Sequence, residues 1–321
     1  MLLFRFYDTQ YAILTIHTGK TQYRSKKSIS MRYEGQIYRP PSEANSLLIQ
    51  ATIGCPHNKC TFCMIYKNRP GFRVRKIEEI KEDILKAREV YGDQVRTLFF
   101  PDGNTIAMKT DDLSTICRFS REVFPELKRI TVYGSSQYIF KKGKEGLKRL
   151  AEAGLSRIHV GLESGDDITL KRIKKGTNSR EQVETGIWVK DAGIELSMYV
   201  ILGIGGQERS LPHAKETAAV LNRIEPDFIR LRTYLPKMNT PLLSDIQNGS
   251  FKMLGPHDVL KETATLLEEI SVSSYLASDH YTNYINLDGR LPEEKQRFLE
   301  LIRMAQKRDE SEFRPTYIGA E

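Results

Sequence analysis

Apolar positions along the chain fall into short continuous runs that alternate with stretches of helical period. The runs at 46–53, 95–100, 129–134, 157–165, 195–204 and 228–233 are of strand length and mostly stop at Gly, Pro, Asp or Ser. Between them, 76–87 carries apolar residues at 77, 80, 84 and 87, and the next stretch has Leu113, Ile116 and Cys117 in helical register. Further helices are predicted at 146–153, closed by Gly154, at 181–192, closed by Gly193, and at 214–224. Six strand–helix units in succession predict a parallel α/β barrel or open sheet.

Beyond residue 233 the alternation stops. Helices near 256–272 and 292–307 flank the polar, aromatic stretch 278–292, and a full eight-unit barrel would need two more strands than this remainder offers. Three parts follow: an N-terminal arm over 1–44, a main α/β domain over 45–235 reached through Pro40-Pro41, and a C-terminal extension over 236–321. Residues 1–30 lack periodicity while Met31 opens a regular stretch, so a translation start at Met31 is one expectation.

In parallel α/β folds, chemistry gathers at the carboxyl ends of the strands. Five predicted strand ends carry suitable residues: the loop 54–63, Asp102-Gly103-Asn104, Ser135-Ser136-Gln137, Glu163-Ser164 and Gly205-Gly206. Arg230 and Arg232 alternate on the sixth strand and share a face, where either an anionic ligand or ion pairing within the barrel would suit them. In the extension, His280, Tyr281 and Asn283 are candidates to shape a substrate pocket if the segment folds over the barrel mouth.

The loop 54–63 holds three of the four cysteines, Cys55, Cys60 and Cys63, spaced C-x4-C-x2-C; the helical register of Cys117 makes it a core residue. Polar neighbours argue against simple burial of the three. A zinc site would need a fourth ligand such as His57. A [4Fe–4S] cluster held by three thiolates leaves one iron open for chemistry. Too few cysteines follow for an all-cysteine second cluster, and no segment reads as a cobalamin domain.

Composition narrows the setting. The 321 residues are 40% hydrophobic, with no apolar run of membrane-spanning length and no apolar signal segment at Met1–Phe6, so reduced thiols in the cytosol are expected. A net charge of +8 suits phosphorylated or carboxylated substrates or nucleic acid, and equally a lysine-rich solvated surface.

The cysteine loop resembles the cluster loop of radical S-adenosylmethionine (radical SAM) enzymes, C-x3-C-x2-C with an aromatic before the last cysteine. Phe62 occupies that position, and one extra residue separates the first two cysteines. Gly161-Leu162-Glu163-Ser164-Gly165 is similar to a sequence of the branch containing oxygen-independent coproporphyrinogen oxidases and tRNA-modifying radical enzymes. Gly205-Gly206-Gln207-Glu208 partly matches the family's adenine-side element. The resemblance covers roughly 45–235 and implies a partial (βα)6 barrel of TIM type followed by a mainly helical C-terminal extension.

It further implies a [4Fe–4S] cluster on Cys55, Cys60 and Cys63 and S-adenosylmethionine on the open iron. Reductive cleavage would then give a 5′-deoxyadenosyl radical that takes hydrogen from a substrate. Asp102, Gly103 and Asn104 stand where the family binds the methionine amine, although its Gly-Gly-Glu pattern is altered. Ser135, Gln137, Glu163, Ser164, Gly205 and Arg230 complete the expected cofactor set. The implied partners are a small-molecule substrate and a reductant such as flavodoxin or ferredoxin. Two alternatives stay open: a nucleic-acid-binding protein with a structural metal or iron–sulfur site, and a radical enzyme acting on tRNA.

Overall fold

Side-chain alternation within each strand sorts residues between two environments. The computed structural model describes residues 31–67 and 71–319. In β4 (Thr97–Phe100), β5 (Arg129–Gly134), β6 (Arg157–Glu163), β7 (Glu195–Leu202) and β8 (Phe228–Thr233), one set of alternate positions is almost wholly aliphatic or aromatic. Leu98, Phe100, Ile130, Val132, Ile158, Val160, Leu196, Met198, Val200, Ile229 and Leu231 belong to one buried core. The other set is aromatic and polar. Rings of Phe99 and Tyr133 (5.0 Å between centroids), Tyr133 and His159 (5.8 Å), and His159 and Tyr199 (5.7 Å) run across four strands on the inner face. An apolar outer face under helices and a polar inner face are what a partial barrel with an interior site requires.

The strand order is β1-β4-β5-β6-β7-β8-β9-β10, parallel from β1 (Leu47–Leu48) through β9 (Ser274–Ala277). Only β10 (Asp288–Leu291) runs antiparallel, against β9. Six strand–helix units are thus present as expected, but the C-terminal part is less helical than its sequence suggests. Beside α8 (Pro256–Glu269) and α9 (Lys295–Ala305) it adds two strands to the sheet. The apolar run 46–53 also breaks: Leu47–Leu48 joins the main sheet, while β2 (Thr52–Ile53) pairs with β3 (Arg73–Val74) and leads into the cysteine loop.

The predicted helices form as α1 (Ile77–Tyr91), α2 (Thr110–Val123), α3 (Ser136–Glu152), α5 (Ser179–Asp191) and α6 (Gly206–Ile224). Ile80, Ile84 and Ala87 of α1 and Leu113, Ile116 and Cys117 of α2 are fully buried, and Cys117 is a core residue. Two short helices, α4 (Asp167–Arg172) and α7 (Pro241–Gln247), had no periodic signal long enough to detect. Among the described residues no helix is long and apolar enough to cross a membrane. Residues 1–30, and the expected start at Met31, lie outside the described residues except for Met31 itself.

Glu43, from the end of the expected arm, is completely buried against the amino ends of β5 and β6. Its carboxylate accepts from Ser46 Oγ (2.5 Å), His159 Nε2 (3.2 Å), Arg129 Nη2 (3.2 Å) and Thr131 Oγ1 (3.3 Å). Burial alone would raise this carboxyl, but the bonds from His159 and Ser46 and the Arg129 charge together hold it at about 2. Burial lowers His159 to about 4. Both folded values lie below the ordinary 4.5 and 6.5, so the unfolded chain binds more protons and stability is lost as pH falls. Urea melts should therefore lose free energy as pH drops below 6.5, continuing toward 2. His159→Gln, which keeps a donor but does not titrate, should flatten the limb between 6.5 and 4; an unchanged limb would refute the assignment.

Candidate active site

The cysteine loop leaves β2 through Gly54, whose φ of 80° turns the chain sharply. Cys55, Cys60 and Cys63 are each partly exposed. The loop is pinned on both sides. Thr61 N donates to Ile173 O (2.9 Å), Leu242 N donates to Thr61 O (3.0 Å), and Asn58 Nδ2 donates to Tyr66 O (2.9 Å). His57 Nε2 is engaged with the Lys174 carbonyl (2.7 Å), which ties the loop to the turn after α4. Among the described residues, no three His, Cys, Asp or Glu side chains are grouped to hold a metal ion. The three thiols are nevertheless close enough to act on one another electrostatically. Burial raises Cys60 to about 11 and also raises Cys63, and nearby Lys175 opposes both shifts. Metal binding here would release protons, as thiolate ligation requires.

At the end of β4, Asp102 is buried with φ 79°. Its carboxylate accepts from Gln50 Nε2 (2.6 Å) and Tyr66 Oη (3.3 Å). A Cβ on Gly103 would stand 2.7 Å from Cys55 Cβ and 2.8 Å from the Tyr66 ring, so this strand end packs directly on the first cysteine. Asn104 Nδ2 donates to Ser135 Oγ (2.8 Å). Its Oδ1 is buried without a hydrogen-bond partner among the described residues, which leaves an acceptor free for a ligand donor. Ser135 stands at the start of α3 without a side-chain capping bond, and Gln137 stands near the Gly176 turn, where His57 also packs.

The segment Gly161–Gly165 serves two directions at once. Glu163, held at φ 63°, pairs with Lys175 Nζ at 2.8 Å, and both side chains are about nine-tenths buried. Gly161 is glycine for space, since a Cβ there would lie 2.1 Å from Glu163 Oε1. Burial disfavours the Lys175 ammonium, but the charges of Glu163 and of Cys60 outweigh it and raise its pKa. Lys175 is thus a buried cation beside the thiols, and sequence reasoning missed it. It sits in the run Lys171-Arg172-Ile173-Lys174-Lys175, whose other two lysines are exposed.

Ser164 turns the other way. It is fully buried, lies 2.8 Å from His213 Nδ1, and accepts from Asp166 N. His213 in turn faces Glu262 at 3.5 Å. The connectivity resembles a serine–histidine–acid relay, but all three side chains are buried and together tie the end of β6 to α6 and α8. The expected contact of Ser164 with the cofactor is therefore not what this geometry presents. Gly165 completes the same seam: a Cβ would lie 2.3 Å from Glu216 O, so α6 touches bare backbone. Gly205 caps α6 in the turn that follows β7, where Gly203 N donates to Glu262 Oε1 (2.6 Å).

Across the barrel, Arg230 is 8% exposed and donates from Nε to Ser197 Oγ (3.1 Å). The Arg232 guanidinium lies over the Tyr199 ring, 4.8 Å from its centroid. The segment after β9 bends over this edge. Asn283 latches it, donating to Leu231 O (2.9 Å) and Ser278 O (3.0 Å) and accepting from Thr233 Oγ1 (3.0 Å). That commits Asn283 to holding the segment in place. His280 bonds Thr282 Oγ1 and packs on Tyr281, itself 60% exposed. Burial and the charges of Arg232, Lys237 and Arg314 lower His280 to about 3, keeping the ring neutral.

These features fit a cofactor that carries an ammonium and a carboxylate beside an iron–sulfur cluster. The loop supplies three thiols, Asn104 an unsatisfied acceptor, Gly103 close backbone approach, and Lys175 a buried positive charge.

Comparison with known proteins agrees. The chain is 25% identical over 202 residues to the 4'-phospho-dehydrooxetanocin synthase of Priestia megaterium, covering 56% of this chain and 27% of that protein. It is 26% identical over 199 residues to the biotin synthase of a Hydrogenobaculum species, covering 61% and 57%. The matched part therefore spans between about a quarter and just over half of these relatives' lengths. In fold, it is similar to the coproporphyrinogen III oxidase of Escherichia coli with a TM-score of 0.50 and 18% identity, over 70% of this chain and 52% of that one. The sequence model of the Radical SAM superfamily matches residues 49–215, just over half of the chain. The chain belongs to the radical SAM superfamily, whose enzymes work with a [4Fe–4S] cluster and S-adenosylmethionine.

Proposed function

We propose that Cys55, Cys60 and Cys63 hold the cluster and that Asp102, Gly103 and Asn104 receive the methionine ammonium. On the opposite side, Glu163 fixes Lys175 toward the methionine carboxylate, with Ser135, Gln137 and Gly205 bordering the nucleoside. When bound, the cluster supplies the electron that cleaves S-adenosylmethionine to methionine and a 5′-deoxyadenosyl radical for hydrogen abstraction from a small-molecule substrate. The chain's own residues orient: a buried acceptor for the amine, a buried cation for the carboxylate, and glycines where backbone must come close. The observation that carries this reading is Lys175, about nine-tenths buried beside Glu163 at the end of β6 and electrostatically linked to both Glu163 and the cysteine loop.

The extension is assigned to the barrel mouth, supported by the Asn283 latch and by His280 beside Arg232. With it we propose a reductant of flavodoxin or ferredoxin type, since the cleavage consumes one electron, and a reducing, cytosolic setting in which the thiols stay reduced. Anaerobic reconstitution with iron and sulfide, then dithionite and S-adenosylmethionine, should yield 5′-deoxyadenosine. Fully reconstituted protein that forms none would reject the proposal.

A further inference from the structure

Part of the positive charge of this protein is internal, and part of that internal charge is uncompensated. Arg157 pairs with Glu195 (2.9 Å) and Lys175 with Glu163 (2.8 Å). Among the described residues, Arg230 and Arg232 form no ion pair: Arg230 bonds the Ser197 hydroxyl and lies 5.7 Å from the Phe228 ring centroid, and Arg232 rests on the Tyr199 ring. An uncompensated guanidinium that is nine-tenths buried costs several kcal/mol of lost hydration. Beside it, Tyr199 Oη is buried with no hydrogen-bond partner, and Tyr199 is the register neighbour of Arg230.

From this we infer that the substrate carries a carboxylate or phosphate group, which Arg230 and Arg232 clamp across Tyr199 on the β7–β8 side of the barrel.

The inference rests on the radical SAM reading for the identity of the barrel interior and goes beyond it in naming the substrate's chemical class. Guanidinium forks match the oxygen pairs of carboxylate and phosphate, and a phenol O–H adds one further donor. Two acids act on Tyr199: Glu43 is committed to Ser46, Arg129, Thr131 and His159, and Asp279 is exposed and forms no ion pair with Arg230 or Arg232 among the described residues. His280 above the clamp is neutral and adds no repulsion or attraction of its own. The cation acting on the thiols is Lys175, at the end of β6, whereas the clamp stands two strands away on β8. An anion fixed there would orient the rest of the substrate, and holding a C–H bond in reach of a reactive group is where positioning has its largest effect.

The test is direct binding of two probes, inorganic phosphate and succinate, to unreconstituted protein by calorimetry. Saturable binding of either is expected, phosphate alone marking a phosphorylated substrate and succinate alone a carboxylated one. Arg230→Met and Arg232→Met should each weaken it about tenfold or more. Because no ion pair is lost, Arg230→Met should melt at or above the parent temperature, which separates this role from a structural one. Saturating S-adenosylmethionine on reconstituted protein should leave the probe bound. Absence of binding, binding unchanged in both variants, or displacement by S-adenosylmethionine would overturn the clamp. Failure of the radical reading would show separately, as absent 5′-deoxyadenosine with probe binding intact.

Discussion

Replacing any one of Cys55, Cys60 and Cys63 by alanine should leave a folded chain that retains almost no iron and forms no 5′-deoxyadenosine above background. Each thiol is partly exposed in a loop, so the substitution removes little packing and should change stability by about 0.5 kcal/mol or less. The loop's shape depends on other contacts, chiefly Thr61 with Ile173 and Leu242, His57 with Lys174, and Asn58 with Tyr66. A three-thiolate cluster has no spare ligand, so its loss is all-or-none, and activity should fall by about 10³-fold or more as for residues acting as a unit. Cys117→Ala reverses the pattern. That side chain is fully buried in α2, so the variant should lose about 1 kcal/mol of stability and keep its iron. Iron content, visible absorption and product formation check the first set, and urea melts the control. Full iron retention in any one of the three loop variants would remove that cysteine from the ligand set.

The second large effect is expected at the Glu163–Lys175 pair. Lys175→Met leaves the Glu163 carboxylate buried at φ 63° with its ammonium partner gone, and Glu163→Gln leaves the Lys175 charge facing a neutral amide. Breaking a buried pair by removing one partner costs about 3–5 kcal/mol, because the remaining charge loses both water and counter-charge. Removing both charges together should cost distinctly less than the sum, and the double-mutant cycle measures that coupling. Lys175→Met should also weaken S-adenosylmethionine binding to the reconstituted protein, whereas a purely structural pair would affect only the melts. Single-variant losses below about 1 kcal/mol would show that the pair is more hydrated than its burial indicates.

Much of the barrel could be read from the sequence because its signal is local. The strands at 129–134 and 228–233 appear as short runs with apolar residues at alternate positions, and the structure returns both with those limits. The two added strands were invisible for the opposite reason. Ser274–Ala277 and Asp288–Leu291 are four residues each and mix polar with apolar positions, and pairing with β8 and with one another makes them strands. Helix α6 begins at Gly206, well before the apolar period at 214–224, because its first turns are held by the glycine turn and by Arg209 on Asp166.

The candidate site divides along the same line. Cysteine spacing and the position of loops after strands are properties of neighbouring residues, so the sequence determined the cluster loop, the six repeating units and the face on which their loops gather. Only the tertiary structure separated Glu163, turned inward to Lys175, from Ser164, turned outward to His213. It also separated Lys175 from the exposed Lys171 and Lys174, showed Asn283 to be a latch, and left Arg230 and Arg232 without acid partners among the described residues. Burial and charge compensation depend on which distant elements close over a side chain, and adjacent residues in one run carry no record of that.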